Sequence, residues 1–295
     1  MKKLLFIMNP FSGQKKANKV LPDILMLFAQ AGYDIRTAMT TGHGAATRYA
    51  ETWGAESDLV VCCGGDGTLN EAISGLMAIG VDTPLGYIPA GTTNDFASSL
   101  GLSSSVKQAV QDILTGEAES YDVGRFGDRY FSYVASFGAF TRSSYLVPQD
   151  IKNALGHAAY VLGGISELSQ IRKEHIRMEI DGEIVEDDYL FGAICNSTSI
   201  GGILTLDPKQ VDMRDGIFEI LLLRAPRNLT EIADCIQAFQ NQTYNCAMIT
   251  FRSAKSIKIF ANPEMPWTLD GEKEEGHEEV CVDVIPRGFR LVHRR

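Results

Sequence analysis

Two short stretches of the chain set carboxylates beside glycines in the way phosphate chemistry requires. The first is Gly64-Gly65-Asp66-Gly67-Thr68-Leu69-Asn70-Glu71, which follows the apolar run Leu59 to Cys63 and leads into Ile73, Leu76 and Met77 at helical spacing. A strand that turns through glycines into a helix lets the backbone approach a ligand and take positive φ. The helix N–H groups and dipole then favour an anion such as phosphate. Asp66 would repel that phosphate unless a cation lay between them, so it points to Mg²⁺ with a nucleotide; the competing reading is a simple helix cap. The second stretch is Trp267-Thr268-Leu269-Asp270-Gly271-Glu272. A hydroxyl attacking a γ-phosphate needs a carboxylate to orient it and accept its proton, and Asp270 or Glu272 fits that role as well as it fits a hairpin turn. A third acidic run, Asp207 to Gly216, offers Asp212, Asp215 and turn carbonyls to a hard divalent cation, or is no more than a surface turn.

The elements that must position these residues fall into two halves. Leu4–Met8 reads as a strand ending in Asn9-Pro10-Phe11-Ser12-Gly13, then a helix over Val20–Ala31, then a strand Tyr33–Met39 ending in Thr40-Thr41-Gly42-His43-Gly44. Strand Leu85–Pro89 runs into Ala90-Gly91-Thr92-Thr93-Asn94-Asp95-Phe96, where Asn94 or Asp95 is also a plain cap candidate. A helix over Val106–Leu114 and an exit at Tyr121–Gly124 complete an α/β half of the doubly wound, parallel kind, whose strand-end loops gather on one edge. From Arg125 onward, strands are expected at Arg129–Ala135, Ile176–Ile180, Leu190–Cys195, Gly216–Leu223 and Ile257–Phe260, with an Asp181-Gly182 hairpin. That texture is a mainly antiparallel β-sandwich or barrel, interrupted by a helical piece at Ala154–Ile171. Domains of 1–124 and 125–284 follow, with the segment from about 285 to 295 free to pack back on the first.

The 295 residues suffice for two cores, and 45% hydrophobic with 22% charged content is that of a soluble globular chain. A formal net charge of −10 argues against a nucleic-acid partner, which needs basic stripes. Six cysteines, two of them adjacent in an apolar strand, show neither a disulfide framework nor metal spacing. No apolar run is long enough to span a membrane, and the N-terminal one stops at Asn9-Pro10 without a cleavage site, so a cytoplasmic protein is expected.

Asn9 to Gly13, Gly64 to Glu71, Pro89 to Phe96 and Leu269 to Glu272, in that order, resemble the diacylglycerol kinase catalytic family, most of all its bacterial soluble branch. The likeness includes Asp122-Val123-Gly124 and the run from Thr141 through Tyr145-Leu146-Val147-Pro148 to Tyr160. It implies a nucleotide-binding α/β domain followed by a β-sandwich lipid-acceptor domain, with ATP and Mg²⁺ as cofactors. The implied reaction moves the γ-phosphate of ATP to a lipid hydroxyl, with diacylglycerol giving phosphatidic acid the first choice, ahead of phosphatidylglycerol, sphingoid bases and ceramide. By the same resemblance, Asn9, Pro10, Phe11, Ser12, Gly13, Thr40, Gly64, Gly65, Asp66, Gly67, Thr68, Asn70, Glu71, Thr92 and Asn94 surround the nucleotide. Asp66, Asp95 and Asp122 belong to a Mg²⁺ network, and Asp215 with carbonyls near Asp212 and Ile217 matches a second, structural cation site. Asp270 is the implied base with Glu272 beside it. The lipid is met transiently at the inner face of the membrane, and a homodimer stays open. The chain departs from its relatives at Ser136-Phe137-Gly138-Ala139-Phe140, which is poorer in glycine, and in the acidic loop Glu272 to Glu279. The rival readings are an NAD kinase, which shares the Gly-Gly-Asp-Gly-Thr turn with phosphofructokinases, and a non-catalytic nucleotide or lipid sensor.

Overall fold

The computed structural model describes residues 1–13, 16–138, 172–200, 204–241 and 243–294. The chain divides into two compact units, Met1–Val123 with Ile285–Arg295, and Gly124–Val284.

The first unit alternates strands and helices: β1 Lys2–Met8, α1 Lys16–Gln30, β2 Tyr33–Met39, α2 Ala45–Trp53, β3 Leu59–Gly64, α3 Asp66–Ala78, β4 Leu85–Pro89, α4 Asp95–Ser99, α5 Val106–Thr115 and β5 Glu117–Phe126. Strands β2, β1, β3 and β4 lie side by side in parallel, and Leu291–Val292 of the last strand extend the sheet beside β4. β3 and β4, and β1 from Leu4 on, are buried through their length because helices cover both faces, whereas the edge strand β2 is mostly polar and only partly covered. Leu4, Phe6, Met8, Val61, Cys63 and Ile88 pack with Ile24 and Phe28 of α1 and Val110 and Ile113 of α5. Helices α2 and α3 pack on each other. The crossing is tight at Gly75, where an added Cβ would stand 2.5 Å from the Thr47 carbonyl oxygen and 2.7 Å from Ala50 Cβ. A ring cluster of Phe96, Tyr121 and Phe289, centroids 6.0–6.4 Å apart, fixes α4 against β5.

The second unit is antiparallel. It contains β6 Arg129–Phe131, β7 Val134–Gly138, β8 Glu174–Ile180, β9 Glu183–Cys195, β10 Ser199–Ile200, β11 Leu204–Thr205, β12 Phe218–Arg224, α6 Leu229–Asn241, β13 Ile249–Ala254, β14 Ser256–Phe260, β15 Trp267–Leu269, β16 Glu272–Glu274 and the first part, to Val284, of β17 Glu279–His293. Neighbours run β16-β15-β7-β9-β8-β14-β17, and β12 pairs with both β9 and β13. Phe131, Phe137, Met178, Phe218, Ile220, Trp267 and Leu269 share its core. The β8–β9 hairpin turns at Asp181-Gly182, both at positive φ, as the sequence indicates.

Several expectations need correction. The strand expected over Arg129–Ala135 is two, β6 and β7, because the backbone N–H groups of Ser132, Tyr133 and Val134 turn to the Asp270 carboxylate. Tyr121–Gly124 is where the chain leaves the first unit, as expected, but it does so inside β5 rather than between elements. Helix α1 starts at Lys16, which places the exposed Pro22 inside it. Gly216 is a turn residue at φ 75° before β12 rather than part of the strand. The helical piece at Ala154–Ile171 and the run from Thr141 to Tyr160 lie outside the described residues.

The Gly75 crossing gives a first test. Gly75→Ala adds a methyl where neither backbone can retreat, so a destabilisation of about 1–3 kcal/mol is expected in urea unfolding. An unchanged midpoint would show that the α2–α3 packing is looser than described.

Candidate functional site

In the first unit three loops leave the carboxyl ends of β1, β3 and β4 and touch one another through glycines. A Cβ on Gly91 would stand 2.6 Å from Gly65 Cα, and one on Gly65 3.3 Å from Gly91 Cα, so these two backbones meet with no room for a side chain. Gly13, at φ 52°, is held as closely: its Cβ would be 2.4 Å from the Ala90 carbonyl oxygen. Gly64 and Gly65 do not adopt the positive φ expected of them. Close approach, not backbone conformation, is what selects glycine there.

Side chains tie the same loops together. Asn9 Nδ2 donates to Thr68 Oγ1 at 3.2 Å, and Asn9 Oδ1 accepts from Phe11 N–H at 2.9 Å. Asn94, in the left-handed region at φ 52°, accepts from Gly91 N–H at 2.8 Å and donates to the Gly91 carbonyl at 3.1 Å. The Tyr87 hydroxyl lies 3.3 Å from both the Gly64 carbonyl and Asn94 Oδ1. Thr40 is buried, with its N–H on the Met8 carbonyl, and Asn70 is buried in α3. Pro10 and Ser12 are partly covered, Thr92 is exposed, and Phe11 is 70% exposed. The loops thus present α3's N-terminus, with Gly65, Asp66, Gly67 and Thr68, within a ring of small and hydroxyl side chains.

The acidic residues divide by what they hold. Asp66 accepts the N–H groups of Asp95, at 3.0 Å, and Phe96, at 3.3 Å, so it caps α4 from across the sheet edge. Asp95 and Asp122 are fully buried. Asp122 accepts Arg287 N–H at 2.8 Å, and its neighbour Tyr121 contacts the ring of Phe96, the residue after Asp95. All three are buried, but their carboxylate oxygens do not all lie within 4.8 Å of one another, so a divalent cation held by all three would reach some of them through waters of its shell. Glu71 holds a loop. Its two oxygens accept Gly44 N–H at 2.7 Å and Ala46 N–H at 3.0 Å, so it holds the start of α2 and the Thr41–Gly44 loop.

In the second unit Asp270-Gly271 is a hairpin turn, at φ 50° and 82°, between β15 and β16. Asp270 does more than turn the chain. It is 4% exposed, and Oδ2 accepts from Ser132 N–H at 2.5 Å and Ser132 Oγ–H at 2.7 Å, while Oδ1 accepts from Tyr133 and Val134 N–H at 3.0 Å each. Burial raises its pKa to about 6 in spite of these four donors, each of which lowers it. Glu272, partly covered, faces Arg129 Nη2 at 3.5 Å. In the Asp207–Ile217 loop, Asp215 accepts Ile217 N–H at 3.0 Å and Asp212 accepts Arg214 N–H at 3.1 Å; both carboxylates are exposed. Close by on β12, buried Glu219 has an oxygen, Oε2, without a hydrogen-bond partner, and burial followed by the Asp215 charge pushes its pKa up to about 8. An orphaned buried carboxyl oxygen fits a cation at that loop.

Sequence reasoning missed Ser132 and Glu219. Ser132 carries no signal, being one serine in an apolar run. Glu219 does, as the lone carboxylate in Phe218-Glu219-Ile220-Leu221-Leu222-Leu223.

Comparison with known proteins finds two family models along the chain. A family model described as the diacylglycerol kinase catalytic domain matches residues 3–126, and one described as the YegS C-terminal NAD kinase beta sandwich-like domain matches residues 134–293. A Bacillus subtilis (strain 168) protein named diacylglycerol kinase is 34% identical over 274 residues, 92% of this chain and 90% of its own. A protein of the same name from Staphylococcus epidermidis is 33% identical over 273 residues, 92% and 86% of the two chains. A crystal structure from Bacillus anthracis, described as a candidate diacylglycerol kinase, matches with a TM-score of 0.80 at 26% identity, covering 99% of this chain and 95% of that one.

Asp270 gives the second test. Its pKa is about 6 in the folded chain and about 4 unfolded, so the folded state holds the proton more tightly. The stability this contributes is fully present below about pH 4 and is lost as pH rises through about 6, to a total of about 3 kcal/mol. Asp270→Asn removes that pH dependence, and it also turns an amide N–H₂ toward two of the four donors, costing about 1–3 kcal/mol for each. In urea unfolding the wild-type advantage over Asp270→Asn should therefore shrink from pH 4 to pH 7. An advantage that grows over that interval would contradict the burial of Asp270.

Proposed function

The chain belongs to the diacylglycerol kinase catalytic family, and from that premise we propose that it is a lipid kinase which moves the γ-phosphate of ATP to a lipid hydroxyl, diacylglycerol giving phosphatidic acid. The observation that carries the proposal is the glycine-to-glycine packing of three loops around the N-terminus of α3, a cradle for nucleotide phosphates. In this reading the backbone from Gly64 to Thr68 binds the phosphates. Asn9 to Gly13, Thr40, Asn70, Glu71, Thr92 and Asn94 border the nucleotide, and Glu71 also fixes the Thr41–Gly44 loop. Asp66, Asp95 and Asp122 would hold Mg²⁺, which when bound supplies positive charge to the phosphate oxygens. Asp215, with carbonyls at Asp212 and Ile217, would hold a structural cation. The lipid is reached from the cytoplasm at the membrane's inner face; among the described residues no helix is long and apolar enough to cross a membrane.

Asp270 is assigned the proton. As the lipid oxygen attacks the γ-phosphorus, its O–P bond forms, the bond to the β,γ-bridging oxygen breaks, ADP leaves with that electron pair, and the hydroxyl proton passes to the Asp270 carboxylate. A base near the operating pH is the most effective, and burial brings Asp270 to about 6. Of its four donors the Ser132 hydroxyl alone turns about a single bond, so its rotation opens an acceptor position for the incoming proton. Glu272 orients the turn through Arg129.

Transfer from γ-labelled ATP to diacylglycerol in mixed micelles, with phosphatidylglycerol, ceramide and NAD as parallel acceptors, tests the function. Labelled phosphatidic acid is expected; label in NAD phosphate alone would replace the lipid reading by the NAD kinase one, and no transfer at all would leave a sensor. With the acceptor found, kcat/KM should fall about tenfold per pH unit below about pH 6, where Asp270 is protonated. Asp270→Asn should lose 10² to 10⁴-fold of kcat, as is typical for general bases. A larger defect in Glu272→Gln than in Asp270→Asn would move the proton to Glu272.

A further inference from the structure

The cation reading of the Asp212–Ile217 loop uses one side chain, Asp215, and two carbonyls, all from the loop. Strand β12, which the loop enters, carries one more carboxyl. The alternation of the strand sends Phe218, Ile220 and Leu222 into the main core, and Glu219 to the opposite face, between its register partners Cys195 on β9 and Ser253 on β13. Glu219 is 3% exposed. Oε1 receives one long bond, from Ser253 Oγ at 3.4 Å, and Oε2 receives none. The charged groups whose fields act on it are Asp215 and Asp212, both of its own sign. A buried carboxyl with an orphaned oxygen, four residues from Asp215 and within the field of two charges of its own sign, is costly unless a positive charge offsets it.

We propose that Glu219 is a further residue of this cation site, binding the divalent ion through a water of its shell and tying the loop to β12. The inference rests on the cation reading of the loop and deepens it. A hard cation such as Mg²⁺ keeps several waters and is held by one or two carboxylates, which matches Asp215 as the direct ligand and Glu219 as the acceptor of a bound water. Outer residues of this kind set affinity as well as orientation. The alternative is a packed polar side chain with no ion to hold. Glu219→Gln separates the two, because the amide keeps the shape and the Ser253 bond but removes the charge.

The experiment follows the melting temperature of the full chain, stripped with chelator and titrated with Mg²⁺ at fixed pH without nucleotide. The wild type should melt higher as Mg²⁺ is added, and Asp215→Ala should lose most of that rise. Glu219→Gln should melt no lower than wild type when stripped, yet need about tenfold more Mg²⁺ or above for half the rise, in the range of outer-shell losses. A half-effect concentration equal to the wild type's would overturn the role of Glu219 and leave the loop site standing. No rise in the wild type, or a full rise in Asp215→Ala, would overturn the loop site itself and with it this inference. Should Glu219→Gln not fold, Glu219→Asp keeps the charge but withdraws it by one methylene. A several-fold higher half-effect concentration is then expected, and an unchanged one would overturn the assignment.

Discussion

The contact between Gly65 and Gly91 is the constraint on which the first unit's chemistry depends. Two strand-end loops can line one surface only if their backbones approach within van der Waals distance, and any side chain at either position forces them apart. Gly13 adds the third loop under the same rule, against the Ala90 carbonyl. Once the loops are packed, the remaining bonds follow from short polar side chains: Asn9 reaches Thr68, Asn94 closes on Gly91, and Asp66 caps α4. The sheet supplies the edge, and the glycines make of it a continuous lining of backbone N–H groups and small side chains.

The second unit solves a different problem with an acid in a turn. Asp270 sits in the left-handed region of a two-residue hairpin, which aims its carboxylate back at three successive N–H groups of a broken strand. Each half explains the other. Without Asp270 the N–H groups of Ser132, Tyr133 and Val134 would lack their acceptor in a buried place, and without the strand break the carboxylate would be buried among apolar side chains with its charge uncompensated. The four donors stabilise the ionised form, burial opposes it more strongly, and the balance leaves a carboxyl that titrates within reach of neutral pH.

Much of this was legible in the residues. The alternation of apolar runs with Gly-rich loops identifies the parallel α/β half, and the Asp181-Gly182 pair identifies the β8–β9 hairpin, while Asp270-Gly271 reads equally as a turn or as a catalytic carboxylate and the structure shows the β15–β16 turn. The four ordered motifs identify the family, as the relatives bear out. What the residues hide is which partner each carboxylate takes. Asp66 and Glu71 lie five positions apart in one motif, yet Asp66 serves the start of α4 and Glu71 the start of α2, through contacts 25 to 30 residues away in sequence. Ser132 is hidden for the same reason, since its partner lies 138 positions along the chain. Glycine was legible as a marker but not in its cause, because a tight approach and a positive φ select the same residue.

The phosphate cradle is tested most directly by a crystal structure of the protein with Mg²⁺ and a non-hydrolysable ATP analogue. Phosphate oxygens are expected within hydrogen-bond distance of backbone N–H groups between Gly65 and Thr68, with the loops of Asn9 to Gly13 and Ala90 to Asn94 keeping their mutual contact. Phosphates bound at any other surface, or a nucleotide that enters by parting Gly65 from Gly91, would contradict it.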